Sequence, residues 1–131
     1  MNVASQCGFT SQNAGLQKLQ DTFGGKGFTV LAFPSNEFGG QEPGNDEQIE
    51  QFVCTKFNGT YPLTKKCCVN GDAAEPVWAY MKHAKPGLLG FEAVKWNYTK
   101  MLVDREGKVI ERYAPTTTPE TIAKDIEKLL K

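Results

Sequence analysis

The side chains able to form and break covalent bonds in this chain are four cysteines, Cys7, Cys54, Cys67 and Cys68, beside a single histidine, His83. A cysteine attacks as the thiolate, so its surroundings decide whether it reacts. Cys7 lies in Met1-Asn2-Val3-Ala4-Ser5-Gln6-Cys7-Gly8-Phe9-Thr10, between a short apolar run and the first helical pattern. That places it in a loop at the carboxyl end of a strand, the edge where open α/β sheets bind ligands, with a helix N-terminus nearby to favour the thiolate. Gly8 is expected to leave the sulfur uncrowded. A buried cysteine acting as a small hydrophobe fits the same position, so location alone leaves both readings open. With no C-x-x-C pair and one histidine, the thiols do not form a conventional zinc site, and neither metal nor cofactor is expected.

Two other stretches carry groups that could assist a thiolate. Phe38-Gly39-Gly40-Gln41-Glu42-Pro43-Gly44 is glycine-rich but lacks the Lys-Ser/Thr ending of a phosphate loop, so it presents Gln41 rather than a phosphate nest. Lys95-Trp96-Asn97-Tyr98-Thr99 sets an indole N–H beside a side-chain amide. Neutral donors of this kind stabilise a thiolate or a developing oxyanion. Each also has an ordinary reading: Trp96 as a core aromatic, Asn97 as a turn residue, Gln41 as a solvated loop residue.

These residues need a scaffold, and hydrophobic periodicity outlines it. Leu16, Leu19 and Phe23 mark an amphipathic helix from Ser11 to Phe23, stopped by Gly24-Gly25. Phe28 to Phe33 reads as a strand buried on both faces and ended by Pro34. A polar loop leads to Asn45 or Asp46, either able to cap a helix carrying Ile49, Phe52, Val53 and Phe57, with Cys54 near its end. Tyr61-Pro62-Leu63 and Cys67-Cys68-Val69 are short strand-like pieces; adjacent strand residues face opposite ways, so at most one of the paired cysteines should be buried. Pro76 opens a helix through Trp78, Tyr80, Met81 and Ala84. Met101-Leu102-Val103 and Val109-Ile110 flank Asp104-Arg105-Glu106-Gly107 as a hairpin, and Thr118-Pro119 starts a last helix with Ile122, Ile126, Leu129 and Leu130 on one side. The order predicts one α/β domain over residues 1–131, a sheet layered with helices. Only Met1 to Ala4 could supply the strand that feeds Cys7, fewer residues than usual.

Composition narrows the partners. In 131 residues, fifteen Lys and Arg balance fifteen Asp and Glu, so no field draws the chain to nucleic acid or an anionic membrane. No apolar run reaches membrane-spanning length and no signal peptide is evident, which favours an intracellular, cytoplasmic protein with reduced thiols and no stable membrane anchor.

Taken together, NVASQCGFT, GFTVLAFPSNEFGGQEPG, KWNYTKMLVDREGKVIERYAPTTTP and the closing helix resemble the glutathione peroxidases, in register along essentially the whole chain. The resemblance implies a thioredoxin-like fold, a central mixed sheet flanked by helices, with the N-terminal hairpin and most of the first core strand missing. It implies that Cys7 attacks a hydroperoxide, that Gln41, Trp96 and Asn97 assist by hydrogen bonding, and that the sulfenic acid formed is resolved to an intramolecular disulfide. In relatives that use thioredoxin-like reductants the resolving cysteine lies in F-x-C-T-[KR]-F, matched here by Phe52-Val53-Cys54-Thr55-Lys56-Phe57, which makes Cys54 the candidate. Ser35 stands where many relatives have a third cysteine and Glu37 where they have Gln. The short span from Val69 to Lys95 favours a monomer, and the lack of an arginine cluster favours a dithiol protein over glutathione as reductant. The expected reaction is therefore reduction of hydrogen peroxide and organic or lipid hydroperoxides. A non-enzymatic thiol redox sensor and an inactive truncated member of the family are the alternatives.

Overall fold

The computed structural model describes residues 1–131. Its elements are β1 (Asn2–Val3), α1 (Gln12–Phe23), β2 (Phe33–Pro34), α2 (Asp46–Phe57), α3 (Pro76–Ala84), β3 (Lys100–Val103), β4 (Val109–Tyr113) and α4 (Pro119–Leu130), with 3-10 turns at Gly24–Lys26 and Leu88–Gly90. The strands form two short two-stranded sheets, β1–β2 and β3–β4, linked by backbone hydrogen bonds at Asn2. β1 runs parallel to β2, pairing Asn2 with Phe33 and Val3 with Pro34. On the far side of β2, Ala32 bridges Leu63 in parallel. On the far side of β1, Asn2 exchanges backbone hydrogen bonds with Tyr98 and Thr99, and β3 continues into the antiparallel hairpin with β4.

The strand expected at Phe28–Phe33 is shifted toward its C-terminus. Ladder pairing begins at Ala32 and passes through Pro34. Pro34 is tolerated because the donors that bind β1 come from Phe33 and Ser35, so the missing N–H is not needed there. Burial on both faces holds for Ala32, Phe33 and Ser35, whereas Leu31 is 43% exposed.

Helix ends follow local chemistry. Asn45, not Asp46, caps α2 through a reciprocal box with Gln48, while Asn58 ends it in the left-handed region. Pro76 occupies the first turn of α3, and Thr118 caps α4 ahead of Pro119. The Gly24-Gly25 pair does not stop the chain at once; it winds one 3-10 turn before Gly27 turns it at φ 92°. Leu16, Leu19 and Phe23 of α1, Val53 of α2 and Ile122 and Ile126 of α4 share a core with Val3, Ala4 and Cys7. A second cluster around Trp78 lies under Phe33, Phe38, Val69 and Val94. No helix is long and apolar enough to cross a membrane.

Candidate active site

The chain leaves β1 at Val3 and winds through successive turns into α1: Thr10 N–H donates to Cys7 O, Gln12 to Phe9 O, and Asn13 to Thr10 O. Cys7 is held at the base of this spiral, only 4% exposed, and its Sγ accepts the Phe9 N–H at 3.4 Å. A methyl group added at Gly8 would meet no atom within 4 Å, so the glycine is not required by packing.

The Gln41 loop and the Trp96-Asn97 turn both close on this spiral. Gln6 N–H donates to Gln41 O at 2.9 Å, fixing the neighbour of Cys7 to the glycine-rich loop. Asn97 is fully buried, and its Nδ2 donates to Gln41 Oε1 at 3.1 Å and to Phe38 O at 3.5 Å. Phe38 O can only accept, so it sets the nitrogen of the Asn97 amide on this side. Asn97 Oδ1 is left buried without a partner. Trp96 stands edge-on to Phe38, and its ring rests 3.1 Å from where a side chain on Gly39 would begin. Gly39 lies at φ 67°, so both backbone conformation and the indole demand glycine there. The structure thus gathers the segments bearing Cys7, Gln41, Trp96 and Asn97 at one sheet edge. The sequence led us to expect all three polar groups to serve the sulfur. Here the Asn97 amide is engaged with Gln41, and the donor that touches Sγ is Phe9 N–H.

Four hydrogen bonds from one residue shape the Trp96-Asn97 turn. Asn2 accepts Tyr98 N–H on its carbonyl and Thr99 N–H on Oδ1, and donates from its N–H to Thr99 O and from Nδ2 to Trp96 O. The grip holds Tyr98 at φ 66°, a conformation costing a bulky residue ~1–2 kcal/mol. Sequence reading missed Asn2 because its role depends on a segment distant in the chain.

Two acids border the site, Glu42 buried and Glu37 at the surface. Glu42 is 1% exposed next to Gln41; burial raises its pKa, and Ser5 and Lys66 partly offset that. Glu37 accepts Ser35 Oγ–H and Val69 N–H on one oxygen, each at 2.7 Å, and Asn70 N–H on the other. The Ser35 and Glu37 pair therefore forms a unit that ties the end of β2 to the Val69-Asn70 turn.

Cys54 is exposed on α2, one residue beyond buried Val53, and Cys7 and Cys54 are both free thiols. Cys67 and Cys68 are both half-buried, and Cys67 packs against the cluster around Trp78. Burial and the nearby Glu75 carboxylate push Cys67 up to about 11, which makes it a poor nucleophile at neutral pH. No group of three or more His, Cys, Asp or Glu side chains is placed to hold a metal ion.

Comparison with known proteins agrees with this arrangement. The family model described as glutathione peroxidase matches residues 1–82. A probable phospholipid hydroperoxide glutathione peroxidase of Helianthus annuus is 55% identical over 131 residues, covering 99% of this chain and 72% of that protein. The hydroperoxy fatty acid reductase gpx1 of Synechocystis sp. is 51% identical, with 99% of this chain and 80% of that protein covered. The crystal structure of Trgpx in apo form superimposes with a TM-score of 0.79 at 41% identity, covering 98% of this chain and 76% of that one. The layered sheet is accordingly thioredoxin-like, as the sequence implied. With the family model, the relatives and the fold in agreement, the chain belongs to the glutathione peroxidase family and is a peroxidase.

Proposed function

We propose that this protein, acting as one domain over residues 1–131, reduces hydroperoxides with Cys7 as the attacking thiol. The observation that carries the reading is Cys7 Sγ, seated on the Phe9 N–H in a spiral clamped to the Gln41 loop. The thiolate attacks the terminal peroxide oxygen, the O–O bond breaks, water or an alcohol leaves, and Cys7 becomes a sulfenic acid. Trp96 and the Gln41–Asn97 pair orient the peroxide and stabilise the charge that develops on the departing oxygen. Cys54 then attacks the sulfenic sulfur, water is lost and a disulfide forms, which a thioredoxin-like dithiol protein reduces. Free thiols throughout suit a reducing intracellular compartment, and a monomer is the working state.

Phospholipid and fatty-acid hydroperoxides are the substrate class named for the relatives above. A surface loop supports the same class here. Leu88 and Leu89 are 80% and 85% exposed, with Phe91 beside them. Gly87 N–H bonds to Phe91 O, and the Arg112 guanidinium holds the carbonyls of Lys85, Glu92 and Ala93, so the leucines are displayed on a fixed frame. The loop leads directly to Trp96, and its apolar tip suits contact with lipid.

The test is a peroxidase assay with thioredoxin and, in parallel, glutathione. Cys7→Ser is expected to abolish turnover. Cys54→Ser should reduce one equivalent of peroxide and then stall with thioredoxin; sustained turnover by that variant would remove Cys54 as resolver.

A further inference from the structure

Behind the Cys7 spiral lies a buried polar chain that the reaction as described does not use. Tyr61 Oη donates to Asn13 Oδ1 at 2.6 Å. Asn13 Nδ2 donates to Tyr98 Oη at 2.9 Å and to Thr10 O at 3.0 Å. Tyr98 Oη donates to Ala4 O at 3.0 Å. Each proton has one place to go, since a phenol gives one hydrogen and the Asn13 amide gives two. The termini of the chain are significant: Ala4 O and Thr10 O are the two ends of the loop containing Cys7. Asn13 and Tyr98 are 2% and 0% exposed, so no water substitutes for a lost partner. Burial also raises the pKa of both phenols, keeping them protonated as donors.

Tyr98 has a second connection. It follows Asn97 directly and is held in the left-handed region by Asn2. Its backbone therefore sets the Trp96-Asn97 turn while its hydroxyl sets the start of the Cys7 loop. Tyr61 brings in a third segment, the chain just beyond α2, where Thr60 is also bound at N–H and Oγ1 by Gln17.

We propose that Tyr98, Asn13 and Tyr61 are positioning residues for the peroxide reaction, clamping both ends of the Cys7 loop so that Sγ keeps its place against Phe9 N–H while the loop stays in register with the Trp96-Asn97 turn. The proposal rests on Cys7 as the attacking thiol. Removing one oxygen, in Tyr98→Phe, leaves Ala4 O without its donor and one Asn13 hydrogen without its acceptor. The loop then relaxes, and misplacement of a reacting atom slows attack steeply.

The experiment follows oxidation of Cys7 by hydrogen peroxide in stopped flow, well below the melting temperature of each variant. Tyr98→Phe is expected to lower the second-order rate about tenfold or more, and Tyr61→Phe, one bond further away, about threefold. Tyr113→Phe, which removes a half-buried phenol bonded to Asp125 of α4 and outside this polar chain, should leave the rate unchanged. The pH midpoint of Cys7 alkylation should move upward in Tyr98→Phe, as Phe9 N–H loses its hold on the thiolate, and stay put in Tyr113→Phe. A folded Tyr98→Phe with wild-type rate and midpoint overturns the clamp, as does an equal loss in Tyr113→Phe. If Tyr98→Phe does not fold, Tyr61→Phe decides by the same two readouts. Peroxide reduction surviving in Cys7→Ser would instead remove the assignment of Cys7 itself.

Discussion

With Cys54 as the proposed resolving thiol, forming a disulfide with Cys7 is expected to open α2, and the cost of opening can be set at a single exposed residue. Val53 is in the core with Cys7, whereas Cys54 points outward one position later, so the thiols face different ways while α2 is wound. The N-terminal end is fixed by the Asn45–Gln48 box and by Asp46, which accepts Lys66 N–H. The chain beyond is pinned at Thr60 and Tyr61. What can give is the last turn and Asn58-Gly59, where Asn58 already lies at φ 50°. Thr55 is exposed in that turn and its side chain makes no hydrogen bond. Ala and Gly at such a site differ by about 1 kcal/mol in helix stability, with Thr between them. If the turn unwinds before the sulfur is attacked, that difference enters the rate in full, a factor of about five at room temperature. Disulfide formation should therefore run about fivefold faster in Thr55→Gly than in Thr55→Ala, with the natural chain between. The assay oxidises Cys7 with one equivalent of peroxide and follows loss of the Cys54 thiol by quenched alkylation and mass. Initial formation of the sulfenic acid should not differ. Equal resolving rates, or a faster Ala variant, would show that Cys54 reaches Cys7 without unwinding α2.

Three further outcomes are expected. Glu37→Gln should destabilise the fold by about 0.5–1.5 kcal/mol in urea melts, because the amide oxygen can keep Ser35 and Val69 but the amide nitrogen then faces the Asn70 N–H, donor against donor. Burial raises the phenol pKa of Tyr61, Tyr98 and Tyr113 above the ordinary value near 10. Their contribution to stability is thus complete below pH about 10 and is lost as pH rises beyond it, and Tyr61→Phe should flatten that loss in melts followed against pH. Leu88→Ser with Leu89→Ser should leave hydrogen peroxide reduction unchanged while cutting activity on phospholipid hydroperoxides in phosphatidylcholine vesicles severalfold; equal loss on both substrates would refute a role for the loop in lipid access.

The parts of the fold legible in the sequence were those fixed within a few residues. Asn45 with Gln48, Pro76, Thr118 with Pro119 and Asp104-Arg105-Glu106-Gly107 each settle a boundary by local hydrogen bonding or φ, and the structure places element ends there. Strand limits were less legible because pairing partners define them. Phe28 to Leu31 have the composition of a strand, yet no ladder forms before Ala32, and Val30 N–H goes instead to a side chain, Gln20 Oε1. Hydrophobic content alone could not show where a neighbour would be.

The candidate site divides in the same way. Cys7, Gln41, Trp96 and Asn97 stood out by type and setting, and their segments meet in the structure. Asn2, Asn13, Tyr61 and Tyr98 did not, since each has a full ordinary explanation in its own segment: strand end, first helical turn, core aromatic. Their roles arise only when four separated stretches fold together, leaving buried polar groups that must find one another. This gives the polar chain a double effect. An unpaired group there would cost about 1–3 kcal/mol, so the network penalises any packing in which the Cys7 loop, α1, the segment after α2 and the Trp96-Asn97 turn are out of register. The arrangement that satisfies these hydrogen bonds is the one that brings the Cys7 loop to Gln41 and Asn97, so selection of the fold and alignment of the thiol rest on the same hydrogen bonds.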